Sequence, residues 1–157
     1  MSAIVAAVVR DALSSATAVT ALVGSGASFR CYASYRPGTS LPAIVLTYGE
    51  DRDLSPSHQR TDQVRRLDIS IDCVGETLAQ SRTLAEAVRV ALHGASGTGR
   101  SSTQVFEIRV LSCSTEFDIG AEGTEPETHI TSVRAECTYR SPAVSPVTIT
   151  DPTGPIP

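Results

Sequence analysis

Residues 20–48 constrain this chain more than any other stretch, because their order is helix end, glycine break, short strand, turn, strand. Ala21, Leu22 and Val23 close a helical segment that Gly24 ends, since glycine enters the left-handed region at a helix C-terminus without a Cβ penalty. Phe29, Cys31, Ala33 and Tyr35 then alternate with Arg30, Tyr32 and Ser34, the two-residue period of a half-buried strand. Arg36, Pro37 and Gly38 turn the chain, and Leu41 and Pro42 lead into the run Ala43, Ile44, Val45, Leu46, Thr47, Tyr48. This run suits a strand covered on both faces, with Pro42 at the first position, where a missing amide does not break the ladder. Helices that end directly against such strands need a sheet to cover.

The helices before it have the matching apolar spacing. Ile4, Val5, Val8, Ala12 and Leu13 predict a helix over residues 3–13, with Ser2 as a source of cap hydrogen bonds, and a second short helix follows over 16–23. Downstream, Arg65, Leu67, Ile69, Ile71 and Cys73 share one strand face, and Arg66, Asp68, Ser70 and Asp72 share the other. Thr77 and Gln80 form a capping box for a helix that Gly94 ends, with Leu78, Leu84, Ala85, Val88, Ala91 and Leu92 as its apolar stripe. Two more strands are expected near residues 104–113 and 128–139, after a flexible connection over 95–103. The expected fold is α+β: a mostly antiparallel mixed sheet of about four to five strands with two main helices packed on one face. It is a single domain over residues 1–140, and 141–157, with five prolines, reads as an extended arm.

Two polar stretches interrupt this order. Residues 49–63 carry both charge signs and are too long for a tight hairpin turn, while 118–127 is glycine-bearing and acidic. Long charged loops of this kind carry function more often than packing.

Composition narrows the function classes. Hydrophobic residues make up 41% but aromatics only 4%, so the core rests on Val, Ile, Leu and Ala, and a wide pocket for a flat ligand is disfavoured. The net charge of -4 argues against a nucleic-acid coat or an anionic membrane surface as the main partner. All 13 basic residues are Arg, and neither Lys nor Asn occurs. A GC-rich coding bias accounts for that, and so does use of the guanidinium for bidentate pairing at subunit contacts. The apolar run over residues 3–9 is interrupted by Arg10 and Asp11, too short for a bilayer span and without a basic leader, so a cytoplasmically made protein is expected. Cys31, Cys73, Cys113 and Cys137 form no Cys-x-x-Cys unit and read as small apolar strand residues, with a bridge left open where strands align two of them.

Catalytic patterns are missing. Residues 94–100 look like a phosphate loop, but that loop needs a Lys, and here a helix precedes and a strand follows. His58, His93 and His129 lie at wide, irregular intervals with no metal-ligand spacing. No enzyme activity, cofactor or metal is expected.

The full order, with Leu22-Val23-Gly24 followed by the Leu41-Pro42-Ala43-Ile44-Val45 strand, the long charged loop, the alternating strand, the helix and the closing strand pair, resembles the tail-completion or tail-terminator proteins of long-tailed phages and related gene-transfer particles. The resemblance covers residues 4–140. It implies a structural virion protein, assembled in the host cytoplasm, that forms a six-subunit ring on the head-proximal end of the tail tube. Such a ring stops tube polymerisation and joins the tail to the neck. The implied partners are further copies of the chain, the tube protein and a neck or head-completion protein, with DNA passing through the lumen without specific binding and no membrane involved. Under this reading the contacts come from Glu50, Asp51, Arg52, Asp53, His58 and Arg60, from Arg65 and Arg66 beside them, and from Glu122, Glu125 and Glu127. A head-closure or head-tail adaptor makes similar demands on composition, and a small-ligand or regulatory binding domain is the alternative from another class.

Overall fold

The structure is a computed structural model that describes residues 2–34, 40–54, 62–98, 104–118 and 128–142. Helix α1 (Ser2–Ser15) and helix α2 (Thr17–Val23) meet at 88°. The break is at Ala16, whose backbone is extended, and the Ser15 hydroxyl donates back to the Asp11 carbonyl at 2.7 Å, the local bonding that makes serine a weak helix continuer. After a short 3₁₀ turn (Gly26–Ser28) come β1 (Cys31–Ala33), β2 (Ala43–Asp53), β3 (Asp62–Gly75), helix α3 (Leu78–Leu92), β4 (Gly97–Thr98), β5 (Gln104–Asp118) and β6 (Thr128–Pro142). The strands form one curled sheet in the order β1-β2-β3-β6-β5-β4. Only β1–β2 is parallel, and the other neighbours are antiparallel.

This is the expected α+β arrangement with three differences. The sheet has six strands because a two-residue strand, β4, forms within the connection expected to be flexible. The first strand is only three residues long, Cys31–Ala33, because Phe29 caps the preceding 3₁₀ turn and Ser34 takes a positive φ of 61°. Most important, Gly49 to Asp53 is not loop. The ladder of β2 continues to Asp53, opposite Arg65, after a bulge between Tyr48 and Asp51. That extra residue re-phases the strand, so Asp51 falls on the same side as Ile44, Leu46 and Tyr48.

One face of the sheet carries Ile44, Leu46, Leu67, Ile69, Ile71, Cys73, Val105, Ile108, Val133, Ala135, Cys137 and Tyr139, and all are buried with Val5, Val9, Leu13, Val19, Val23, Leu84, Val88 and Leu92 of the helices. At about 1.5–3 kcal/mol for each large apolar side chain, burial on this face is the main stabilising contribution. Helix α3 lies directly on the sheet. Its cap forms as expected, with the Gln80 amide donating to the Thr77 hydroxyl at 3.2 Å, although the Gln80 side chain accepts from the Glu76 amide rather than from Thr77. Ser81, fully buried on the stripe, shares a 3.0 Å hydrogen bond with Thr131 of β6, which satisfies both hydroxyls inside the core.

Arg30 joins the two parts of the segment that opens the fold. Its side chain donates to the Leu22 carbonyl at the end of α2 (3.0 Å) and to the Pro42 carbonyl at the start of β2 (2.7 Å). Its backbone bonds to Val23 and Ile44. A cation at a helix C-terminus is well placed for the helix dipole.

Candidate assembly surfaces

The strands outrun the helices. β5 and β6 have 15 residues each, and at about 3.3 Å per residue they extend about 50 Å. α3, also 15 residues, covers about 22 Å at about 1.5 Å per residue. The registers fix which connection lies at which end. Asp53 pairs with Arg65, Asp62 with Pro142 and Gln104 with Arg140, so the end of β2, the start of β3, the start of β5 and the end of β6 share one end of the sheet. Gly75 pairs with His129 and Asp118 with Thr128, so the end of β3, the end of β5 and the start of β6 share the opposite end. The two ends of this continuous sheet lie about 50 Å apart.

At the first end, on the helix side, Asp51 sits between two donors. Arg65 Nε donates to one carboxylate oxygen at 3.0 Å and the Tyr139 hydroxyl to the other at 2.9 Å. Tyr139 is 1% exposed, and burial, followed by its bond to Asp51, pushes its phenol up to about 12. The bond to Asp51 likewise holds the Arg65 guanidinium above its ordinary range. This cluster closes the end of the core with satisfied polar groups.

The other face of the sheet is covered by no described helix. Cross-strand partners set its rows: Arg52, Arg66, Thr138, Glu107; then Asp68, Glu136, Arg109; then Thr47, Ser70, Arg134, Ser112; then Val45, Asp72, Ser132, Ser114. Two rows put like charges directly opposite each other, Arg52 with Arg66 and Asp68 with Glu136, an arrangement that costs stability. Relief comes from a diagonal neighbour, Glu136, which Arg66 approaches at 3.7 Å, and from within β2, where Arg52 bonds Glu50 at 2.8 Å and holds Glu50 below the usual carboxylate range. Arg66 Nε is buried with no hydrogen-bond partner among the described residues. A hollow of about 320 Å³ crosses four strands here, lined by Thr47, Arg52, Asp68, Leu111, Arg134 and Glu136. Leu111, set outward by a bulge between Val110 and Ser112, is 50% exposed. The alternating charge signs suit a mixed-charge protein surface better than a polyanion.

Of the residues picked out from sequence, Asp51 and Arg65 come together, facing inward. Glu50, Arg52 and Arg66 come together on the open face, and Asp53 lies opposite Arg65. His58, Arg60, Glu122, Glu125 and Glu127 lie outside the described residues. Sequence reasoning missed Arg30, Tyr139, Ser81 and Thr131. Tyr139 and Thr131 carry the alternation signal of the closing strand, but their partners are 88 and 50 residues away in the chain. All four cysteines are free; Cys31, Cys73 and Cys137 are buried, and Cys113 departs from the expected apolar role by being exposed. Burial pushes the Cys31 thiol up to about 11 and Cys137 up to about 12, so neither is a ready nucleophile. Among the described residues no group of His, Cys, Asp and Glu is arranged to hold a metal ion.

A family model described as tail completion protein gp17 matches residues 7–122. No curated protein matches the sequence. Among solved structures, a chain in "Virion of native gene transfer agent (GTA) particle" superposes with a TM-score of 0.61 over 89% of this chain and 97% of that one, at 18% identity. At that identity the likeness is one of fold.

Proposed function

The chain belongs to the tail completion protein gp17 family of phage tail structural proteins, and from that premise we propose that it is the tail terminator, a ring of copies on the head-proximal end of the tail tube. The ring stops tube growth with one end and receives the neck with the other. The observation that carries this reading is the one continuous sheet in which β2 meets β3 at one end and β5 meets β6 at the other, because a subunit built that way presents two different axial surfaces from one rigid core. Work by surface complementarity also fits the open face, whose mixed rows of Arg, Asp and Glu offer both charge signs to a neighbour. Heterologous contacts close a ring when the rotation between copies is right, and six copies is the number the resemblance implies. DNA passes through the lumen without specific binding.

Electron microscopy of the purified protein tests this directly. Six-fold rings of tube width support the terminator, and a persistent monomer that never caps purified tubes overturns it. Labelling in assembled particles places the protein at the tube end or on the portal side, and the portal side assigns it to head closure instead. Deleting residues 55–61 or 119–127 is expected to leave a folded chain that fails to join tails, and infectious particles from both deletions would refute the contact roles of these connections. Ser141 and Pro142 pair with β3 of the chain itself, so residues 143–157 are the arm proposed to order on a neighbour, and truncation after Pro142 with unchanged assembly would remove that role.

A further inference from the structure

The two edges of the sheet are stepped in opposite senses. On the β2 side, β1 pairs only with Ile44 to Leu46, and among the described residues nothing pairs with the outer side of Thr47 to Arg52. On the β5 side, β4 pairs only with Gln104 and Val105, and Ile108 bonds to Gly94 and Ala95. From Val110 to the end of β5 no described residue pairs with the outer side. Edge strands are normally blunted by charge, proline or shortness. Here Val110, Leu111, Ser112, Cys113, Ser114 and Thr115 carry no charge and no proline; the bulge at Leu111 blunts this stretch, and Glu116 and Asp118 place charge only at its far end. An edge this plain needs a partner.

We infer that the unpaired edge of β5 takes the unpaired edge of β2 from a second copy, joining the sheets of neighbouring subunits; this rests on the ring reading. Strand direction permits it. β2, β3, β6 and β5 run up, down, up, down, so rotation about an axis along the strands sets β2 of one copy antiparallel to β5 of the next. The outward backbone groups also match. Alternation from Ile108, which bonds outward, gives Val110, Cys113 and Thr115 on β5; alternation from Leu46, whose carbonyl accepts from Ser34, gives Tyr48 and Asp51 on β2.

The offset between the two free edges sets the geometry. The free part of β2 centres opposite Asp68 and Glu136, and that of β5 centres opposite Ser132, four residues along β6. Four residues at about 3.3 Å across four strands at about 4.8 Å correspond to a strand tilt of about 35°, the lower end of the 35–45° at which sheets close into barrels. With that offset, β4 of one copy and β1 of the next fall on either side of the junction, like the two halves of a lap joint.

The test uses the full chain carrying Glu50→Cys on β2 and Ser114→Cys on β5, both exposed on the open face of the sheet, with Cys113→Ser so that no native surface thiol competes. A short bismaleimide is expected to link subunits into a ladder ending in a closed species, and leaving out either new cysteine is expected to abolish it. Thr115→Pro, which removes an outward amide only, is expected to give a protein of wild-type circular dichroism that no longer forms rings. Rings seen by native mass measurement without the cross-link between the Glu50→Cys and Ser114→Cys thiols, or rings that survive Thr115→Pro, overturn the edge junction and leave the ring reading standing. Monomers only, with and without tubes, overturn both. Hydrogen-exchange protection of residues 110–115 in the isolated monomer, lost when residues 143–157 are removed, assigns the edge to the chain's own C-terminal segment and also overturns the junction.

Discussion

Replacing Asp51 by Ala is expected to destabilise the monomer by about 2–4 kcal/mol, a large part of the 5–15 kcal/mol that holds a domain of this kind. The figure comes from what the carboxylate leaves behind. Tyr139 is 1% exposed and its hydroxyl has its 2.9 Å bond to Asp51, so losing the acceptor strands a buried donor, at about 1–3 kcal/mol. Arg65, whose side chain is 20% exposed, loses the anion 3.0 Å from its Nε; partial hydration keeps that second contribution to about 1 kcal/mol. Tyr139→Phe removes only the donor, and because the Asp51 side chain is 24% exposed, water replaces the bond at a cost of about 1 kcal/mol. The double variant then has no stranded hydroxyl, so its loss falls short of the sum of the singles by about 1–2 kcal/mol. Urea unfolding of the four proteins, followed by circular dichroism with unchanged m-values, measures this. Additivity within about 0.5 kcal/mol, or an Asp51→Ala loss below that, would show that the cluster does not hold this end of the core.

Arg30→Ala, which removes two side-chain bonds to carbonyls at the end of α2 and the start of β2, is expected to cost about 2–4 kcal/mol in the same assay, and Arg30→Lys to recover less than half, since one ammonium does not span both acceptors. A thiol reagent is expected to modify Cys113 of the folded monomer at once and the three buried cysteines only on unfolding; two fast thiols would contradict the burial pattern. The folded protein holds Cys31 at about 11 and Cys137, Tyr48 and Tyr139 at about 12, all above their ordinary values, so it retains these protons where the unfolded chain releases them. Their stabilisation is fully present below about pH 9 and is lost as pH rises toward 12, with Tyr139→Phe removing part of the fall above pH 10; stability flat across this window would refute the assignment.

Much of the fold was legible because its signals are local. The three helices, the face assignment of Leu67, Ile69, Ile71 and Cys73, and the Thr77 cap follow from side-chain period and from a hydroxyl placed three residues before an amide. The end of β2 was not legible. Glu50, Asp51, Arg52 and Asp53 have a loop's composition, and they form strand because β3 supplies the ladder and because Arg65 and Tyr139 receive the one carboxylate that turns inward. The bulges of β5 hid its inner face in the same way: Val105, Ile108, Val110 and Cys113 are spaced by three, two and three residues, which no single period describes.

By itself the sequence determined an α+β chain with a Val, Ile, Leu and Ala core, no catalytic or metal-binding spacing, and an element order matching a phage tail family. Tertiary structure alone decided which strand ends share each end of the sheet, which charges of β2 and β3 face inward, and where the described strands keep unpaired edges. The physical reason is range. Period and capping act over a few residues, whereas register, bulges and edges depend on hydrogen bonds between strands far apart in the chain.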